Sequence, residues 1–214
     1  MKLYRYWRSG TSYRVRLALA IKGAEAEIVP VNLLEGEHRE EAFLSKNAQG
    51  LVPALELDDG TLLSQSPAII EYLEDRIDGP RLLPEDPVRR AKARQLAAII
   101  GCDIHPIQNL RILKYLQDPL GHSREEAFAW AAHWIDTGFA AFLEERRRAG
   151  AEGRFAFGDE PSVVDCYLLP QIYAGRRFGA DLAKFGELTA IEDQVLARPE
   201  LAAAHPDGQP DAQA

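Results

Sequence analysis

Residues 2–32, KLYRYWRSGTSYRVRLALAIKGAEAEIVPVN, decide the fold. The KLYRYW stretch after Met1 is rich in aromatic residues, and AEIVPVN at 26–32 is rich in β-branched ones, so both read as strands. Between them SYRVRLALAIKG has helical periodicity and ends on Gly23. A right-handed crossover through that helix makes the two strands parallel neighbours. Working outward, HREEAFLSKN reads as a short exposed helix. LVPALEL, Asp58-Asp59-Gly60 and TLLSQ read as a hairpin whose Asp-Gly turn supplies the positive φ angles. Four strands then share one mixed sheet. SPAIIEYLEDRI closes a βαβ-α-ββα unit, with Ser66 as N-cap, Pro67 at the first helical position and Ile69, Ile70 and Leu73 as the buried stripe.

Beyond this unit the pattern changes in IDGPRLLPEDP, a stretch of proline and charge that marks a domain boundary. Residues 1–78 are expected to form the α/β domain, residues 86–205 an all-α domain and residues 206–214 a flexible tail. Asp86 caps a helix opening at Pro87 that runs about 30 residues, with Leu96, Ile100, Ile104 and Ile107 at helical spacing and a kink at Pro106. Further helices are expected over residues 123–148, 162–174 and 187–196 and near Glu200.

With 214 residues the chain can bury a sizeable core, which excludes a disulfide minidomain. Its 25 Lys and Arg against 33 Asp and Glu give a net charge of −8, so a general nucleic-acid or anionic-membrane surface is not expected. An anionic substrate would need a local basic cluster. No run approaches the roughly 18 apolar residues of a membrane helix, and MKLYRYWRSG carries charges where a signal peptide is apolar, so a cytoplasmic protein is expected. Cys102 and Cys166 show no zinc-ligand spacing and read as reduced core thiols; no metal is expected.

Arg8-Ser9-Gly10-Thr11-Ser12 lies where the first strand hands over to the first helix, a place where backbone N–H groups and the helix dipole favour an anion. A well-capped turn accounts for these residue types as readily as a site does. The functional reading is a hydroxyl that stabilises a thiolate, and since no Cys is nearby the thiol must belong to a ligand. Val52-Pro53, before a strand, suits a cis turn that leaves the Val52 N–H and C=O unpaired for an extended peptide. Gln65-Ser66 offers an amide and a hydroxyl to a peptide carboxylate at another helix N-terminus.

Together and in this order these features resemble the glutathione transferase family, over nearly the whole chain. RSGTSYRVRLALAIKG is similar to the zeta-class signature Ser-Ser-Cys-Ser-x-Arg-Val-Arg-x-Ala-Leu, with Thr11 in place of the Cys and Gly10 in place of the second Ser. QSPAIIEYLE, RLLPEDPVRRAKAR, GCDIHPIQNLRILK and VVDCYLLPQIYAGRRF match further zeta-class segments. The resemblance implies a thioredoxin-like domain followed by an all-helical domain, glutathione as cofactor and a homodimer. Carried over, it makes Ser9 the group that polarises the glutathione sulfur, with Thr11 a second catalytic hydroxyl. It makes Val52 the partner of the cysteinyl backbone, and it has Gln65 and Ser66 hold the γ-glutamyl carboxylate. His38 and Gln49 would meet the glycine end, although a solvated helix face also accounts for His38. Asp103, His105 and Asn109 would lie near glutathione, Asp103 from the partner subunit; a satisfied histidine before Pro106 is the other reading of His105.

Zeta-class enzymes are glutathione-dependent maleylacetoacetate isomerases, and a bacterial subset with WRSGTS acts on maleylpyruvate. The implied reaction, in aromatic-compound (tyrosine) degradation, is addition of the thiolate to a cis double bond conjugated to a ketone. Rotation and elimination follow, with side reactions on small α-halo acids. Such substrates are dicarboxylates, suited to the planar fork of Arg, so Arg8, Arg177 and Arg111 are the substrate-binding candidates, with Arg14 and Arg176 read as solvated or structural. Ser162-Val163-Val164-Asp165 reads as a helix-capping folding element, and Arg146-Arg147-Arg148 as a dipole partner at a helix end. The rivals are a conjugating transferase that consumes glutathione and a non-enzymatic module of the same fold, which would have no need of the Ser9 hydroxyl.

Overall fold

The computed structural model describes residues 1–212. They divide into two compact units, Met1–Leu82 together with the chain from Leu196 onward, and Leu83–Val195. In the first, β1 (Lys2–Arg5), α1 (Gly10–Lys22) and β2 (Glu27–Pro30) form the parallel crossover, with Leu3 opposite Ile28. β3 (Ala54–Glu56) and β4 (Leu62–Ser64) join antiparallel on the other side, giving the order β2-β1-β3-β4. β1 is shorter than its apolar run because the Tyr6 carbonyl leaves the ladder to accept the Ser9 N–H at 3.1 Å in the turn into α1. Gly23, at φ 64°, ends α1, and the Ala24 N–H closes onto the Leu19 carbonyl at 2.9 Å. In the hairpin Gly60 alone has positive φ: Asp58-Asp59-Gly60 is a three-residue loop ending in a left-handed glycine, not a two-residue turn with both angles positive. HREEAFLSKN gives only a 3₁₀ turn at Glu37–Arg39 and one turn of α2 (Glu41–Leu44), since Phe43 alone is buried and no apolar stripe sustains a longer helix. α3 (Ser66–Arg76) lays Ile69, Ile70 and Leu73 into the core with Leu3, Val15, Ala18 and Leu55.

The C-terminal chain belongs to this unit, contrary to both the helical-domain boundary at 205 and the flexible tail. α9 (Pro199–Ala202) packs against α1, and a 3₁₀ turn follows at Pro206–Gly208. Two buried arginines account for the docking. Arg16 donates to the carbonyls of Ala204 at 2.9 Å and Trp7 at 3.0 Å, and Arg5, 1% exposed, is paired with Asp211. Ala212 rests on the cluster of Tyr4, Tyr6, Trp7, Val31 and Phe43. Gln213 and Ala214, the end of the expected tail, lie outside the described residues. A buried cation that loses its partner is costly, so Asp211→Asn should destabilise the protein by about 2 kcal/mol, less than a fully buried pair because Asp211 keeps solvent contact. Urea midpoints check this, and an unchanged midpoint would mean that Arg5 is content without the tail.

In the second unit Asp86 caps α4 (Pro87–Ala98) by accepting the Arg89 N–H at 2.8 Å. The expected 30-residue kinked helix is instead broken. A π turn at Ile99–Ile104 and a 3₁₀ turn at His105–Gln108 follow α4, and Asn109, with extended backbone, starts α5 (Leu110–Gln117) afresh. Pro106 has no N–H to continue an α-helical ladder, and the wider π turn takes up the mismatch. Ile100 and Ile104 are buried there, and Ile104 fills the space that a Cβ on Gly138 would occupy. α6 (Arg124–Arg148) opens on a Ser123/Glu126 capping box and α7 (Val163–Phe178) on the Ser162/Asp165 box. α7 runs past Ala174 to a left-handed Gly179, and Arg176 in its last turn pairs with the buried Glu192 of α8 (Gly186–Leu196). Arg146, in the last turn of α6 as expected of a dipole partner, is moreover buried and donates to the carbonyls of Ala156 and Phe155, both at 3.0 Å. Among the described residues no helix is long and apolar enough to cross a membrane.

Candidate active site

The α1 N-terminus is built as the glycine-flanked hydroxyls suggest. Ser9 is the N-cap, its Oγ accepting the Ser12 N–H at 3.3 Å. Its hydroxyl lies 2.9 Å from that of Thr11, and Thr11 Oγ1 donates to the Val52 carbonyl at 2.9 Å. Three residues named from sequence are thus joined in one chain of bonds that ties helix α1 to the loop before β3. The Val52-Pro53 bond is cis as expected, but the Val52 carbonyl is not unpaired, because the Thr11 hydroxyl already occupies it. Beside them Arg8 lies over the Trp7 ring at 5.0 Å, and its Nε is buried without a partner among the described residues. Such a cation, stacked but not neutralised, is suited to an anion.

The loop leading to Val52 is held by a residue that sequence reading missed. Asn47, buried, donates to the Leu51 carbonyl at 2.6 Å and accepts the Gln49 N–H at 3.1 Å. The Asn-Ala-Gln-Gly string was the available signal, since Asn so placed folds its side chain onto the backbone two residues on. Gln49 in turn accepts from Gln65 Nε2 at 2.5 Å, and the His38 carbonyl lies so near Gly50 that a Cβ there would come within 2.9 Å of it. His38, Gln49 and Gln65 therefore border one stretch of surface, with His38 half-buried and not on a solvated helix face.

At α3 the cap is one residue earlier than expected. Gln65 is the N-cap, with φ 69°, a left-handed backbone that a non-glycine residue adopts at a cost of about 1 kcal/mol or more. No side chain caps the helix, so its first N–H groups keep their anion-binding capacity. Ser66 points inward, 2% exposed, and accepts from Arg14 Nη1 at 3.4 Å. Arg14 is therefore not solvated: it sets a buried positive charge beneath that helix end.

The other named residues lie in the second unit. Asp103 is exposed in the π turn, and His105, half-buried, begins the 3₁₀ turn. Asn109 commits its amide oxygen to the Arg111 N–H at 3.2 Å as N-cap of α5, and Arg111 is exposed in the first turn, where a cation opposes the helix dipole and gains nothing locally. Arg177 is exposed in the last turn of α7, stacked on Phe178 at 5.1 Å. Cys102 is exposed on the π turn and not in the core, unlike Cys166.

Residues 1–75 match the family described as glutathione S-transferase, N-terminal domain. The chain is 49% identical over 213 residues to the maleylacetoacetate isomerase of Pseudomonas aeruginosa, covering 99% of this chain and 98% of that protein. Among solved structures, the holo form of a maleyl pyruvate isomerase, a bacterial zeta-class glutathione S-transferase, superposes with a TM-score of 0.95 at 45% identity, covering all of both chains. A maleylacetoacetate isomerase from Methylobacterium extorquens AM1 with bound malonate and glutathione gives the same TM-score at 38% identity, again covering all of both chains.

Proposed function

The chain belongs to the zeta class of the glutathione transferase family, that of the maleylacetoacetate and maleylpyruvate isomerases, and from that premise we propose the reaction and the residues that serve it. It is a glutathione-dependent cis–trans isomerase of a maleyl-keto dicarboxylic acid, of the maleylacetoacetate-to-fumarylacetoacetate type, with maleylpyruvate as the second substrate to be tried because one full-length structural relative acts on it. The observation that carries the site assignment is the Ser9–Thr11–Val52 chain at the N-terminus of α1.

The residues present fit glutathione. The uncapped α3 N-terminus at Gln65 and Ser66, with Arg14 buried beneath, is suited to the γ-glutamyl carboxylate, and the Val52 backbone to the cysteinyl amide. Gln49 and His38 border the place for the glycine end. When bound, glutathione supplies the sulfur nucleophile for reversible addition to the double bond. Ser9 donates its hydroxyl proton toward that sulfur and so favours the thiolate, in the positive field of the α1 N-terminus. Arg8, Arg177 and Arg111 receive carboxylates, and the bound malonate of the Methylobacterium protein supports a dicarboxylate site. Asp103, His105 and Asn109 are assigned to glutathione, Asp103 from the partner of a homodimer. A reducing, cytoplasmic setting, in which the thiols of Cys102 and Cys166 stay reduced, is part of this reading.

Incubating purified protein with each acid, with and without glutathione, tests this reading. Conversion of cis to trans acid is expected only with glutathione, which should be recovered intact. Stoichiometric loss of the thiol would instead establish a conjugating transferase. Light scattering should give a dimer at micromolar concentration, whereas a monomer would remove Asp103 from the site. Arg177→Met should lower kcat/KM for the dianionic acid by about 2–4 kcal/mol in transition-state terms, the size of a broken charge-assisted pair, and should spare a neutral analogue. Equal losses for charged and neutral substrates would speak against carboxylate recognition by Arg177.

A further inference from the structure

The direction of each hydrogen bond in the Ser9–Thr11–Val52 chain follows from elementary chemistry. A carbonyl cannot donate, so the contact between Thr11 and the Val52 oxygen uses the single hydroxyl proton of Thr11. Toward Ser9, Thr11 then has only lone pairs to offer, and the 2.9 Å contact between the two hydroxyls is a donation from Ser9. The Ser9 oxygen also accepts the Ser12 N–H. Without ligand, the proton of Ser9 therefore points at Thr11, and a sulfur can receive it only if that bond is given up.

We propose that Thr11 is a positioning residue that couples release of the Ser9 proton to occupation of the Val52 carbonyl; this rests on the assignment of Ser9 and Val52 as glutathione contacts. When a peptide N–H donates to the Val52 oxygen, Thr11 turns its proton onto Ser9 Oγ, and Ser9 turns its own toward the sulfur. No proton changes its oxygen and no covalent bond is made or broken; only two hydroxyls rotate. The turn is favoured at both ends. A second donor on the carbonyl draws on the same oxygen and weakens its bond to Thr11, and a thiolate accepts a stronger, charge-assisted bond than the neutral Thr11 oxygen did. A hydroxyl that receives a bond also donates a stronger one, so the Thr11 proton on Ser9 deepens the stabilisation of sulfur. Docking of the ligand backbone and ionisation of its thiol thereby become one event, and a thiol with no amide to place on Val52 stays poorly activated.

The readouts are the pH titration of thiolate absorbance in bound glutathione and the dissociation constant of S-methylglutathione, which has no thiol to ionise. Thr11→Val removes the hydroxyl at nearly constant volume and, by taking away the bond that strengthens Ser9 as a donor, should raise the bound thiol pKa by about 0.3 pH unit, roughly a twofold change in the thiol–thiolate ratio. Binding of S-methylglutathione should stay within about twofold, and Thr11→Ser should restore the thiol pKa. Because Thr11 acts through Ser9, adding Thr11→Val to Ser9→Ala should give no further shift. Glutathione methylated on its cysteinyl nitrogen should raise the thiol pKa on the unaltered protein, where Thr11 keeps the Ser9 proton, and should leave it unmoved in Thr11→Val, where nothing holds that proton back. The proposal is overturned if Ser9→Ala moves the titration and Thr11→Val does not, if Thr11→Val acts equally with Ser9 absent, or if N-methylation changes nothing. An unmoved titration in Ser9→Ala sinks the Ser9 assignment itself, and the coupling with it.

Discussion

Ser9→Ala is expected to reduce isomerase turnover by about 10²–10³-fold, the usual loss when one preorganised donor to a developing or resident anion is removed. The bound glutathione thiol should titrate at higher pH, because a hydroxyl that donates to sulfur favours the charged form, and its removal favours the neutral one. The ascending limb of the pH–rate profile should move upward with it. Ser9 is also the N-cap of α1, so the same substitution should cost about 1 kcal/mol of stability. That cost is separable: it lowers the melting temperature by a few degrees and leaves the protein folded at assay temperature. Thr11 sets the discriminating control, since its hydroxyl is within 2.9 Å of Ser9. A titration unmoved by Ser9→Ala but shifted by Thr11→Ala would mean that the wrong hydroxyl has been assigned to the sulfur.

Asp165→Ala should do more damage, and to the fold instead of the chemistry. The Asp165 carboxylate is 1% exposed and accepts the N–H groups of Ala156 and Ser162, each at 2.8 Å, and the Ser162 hydroxyl at 3.0 Å. Alanine would leave all three donors buried without an acceptor, at about 1–3 kcal/mol each, against a total stability of about 5–15 kcal/mol. A fall in melting temperature of about 10 °C or more, or loss of soluble protein, is expected, with Asp165→Asn intermediate because it keeps one acceptor oxygen. A melting curve matching the parent would show that the cap is dispensable. Burial pushes the Asp165 carboxyl above the usual carboxylate range, although the backbone bonds pull it down. With the folded value raised, the proton-linked part of its contribution to stability is full below the ordinary carboxylate pKa and is lost as pH rises through the folded value. Asp165 therefore does not initiate acid unfolding.

Much of the candidate site is legible in the sequence. Hydroxyls beside a glycine at a strand–helix junction, a proline opening a strand and a Gln-Ser pair before a helix carry their chemistry in residue type and order. Legibility failed where a residue's role depends on a partner distant in sequence. Arg14 reads from sequence as either solvated or structural, and only its burial under Ser66, 52 positions on, decides for the second; Arg5 is paired with Asp211, 206 positions on. Asn109 was read within a continuous helix because periodicity persists across Pro106, while the backbone in fact ends one helix and uses Asn109 to start another.

By itself the sequence determined the order of elements, the mixed four-stranded sheet, the capping of α7, and the residue types gathered at the two helix N-termini. These depend on periodicity, on turn chemistry and on side chains meeting backbone within a few residues. Tertiary structure alone decided that the C-terminal chain docks on the sheet unit, that the cap of α3 is Gln65 with left-handed backbone, and that the Val52 carbonyl is occupied by Thr11. The reason is the same in each case: a buried cation or hydroxyl must find a partner, and which of the many chemically equivalent groups lies within 3 Å is set by the packing of segments that no local pattern connects.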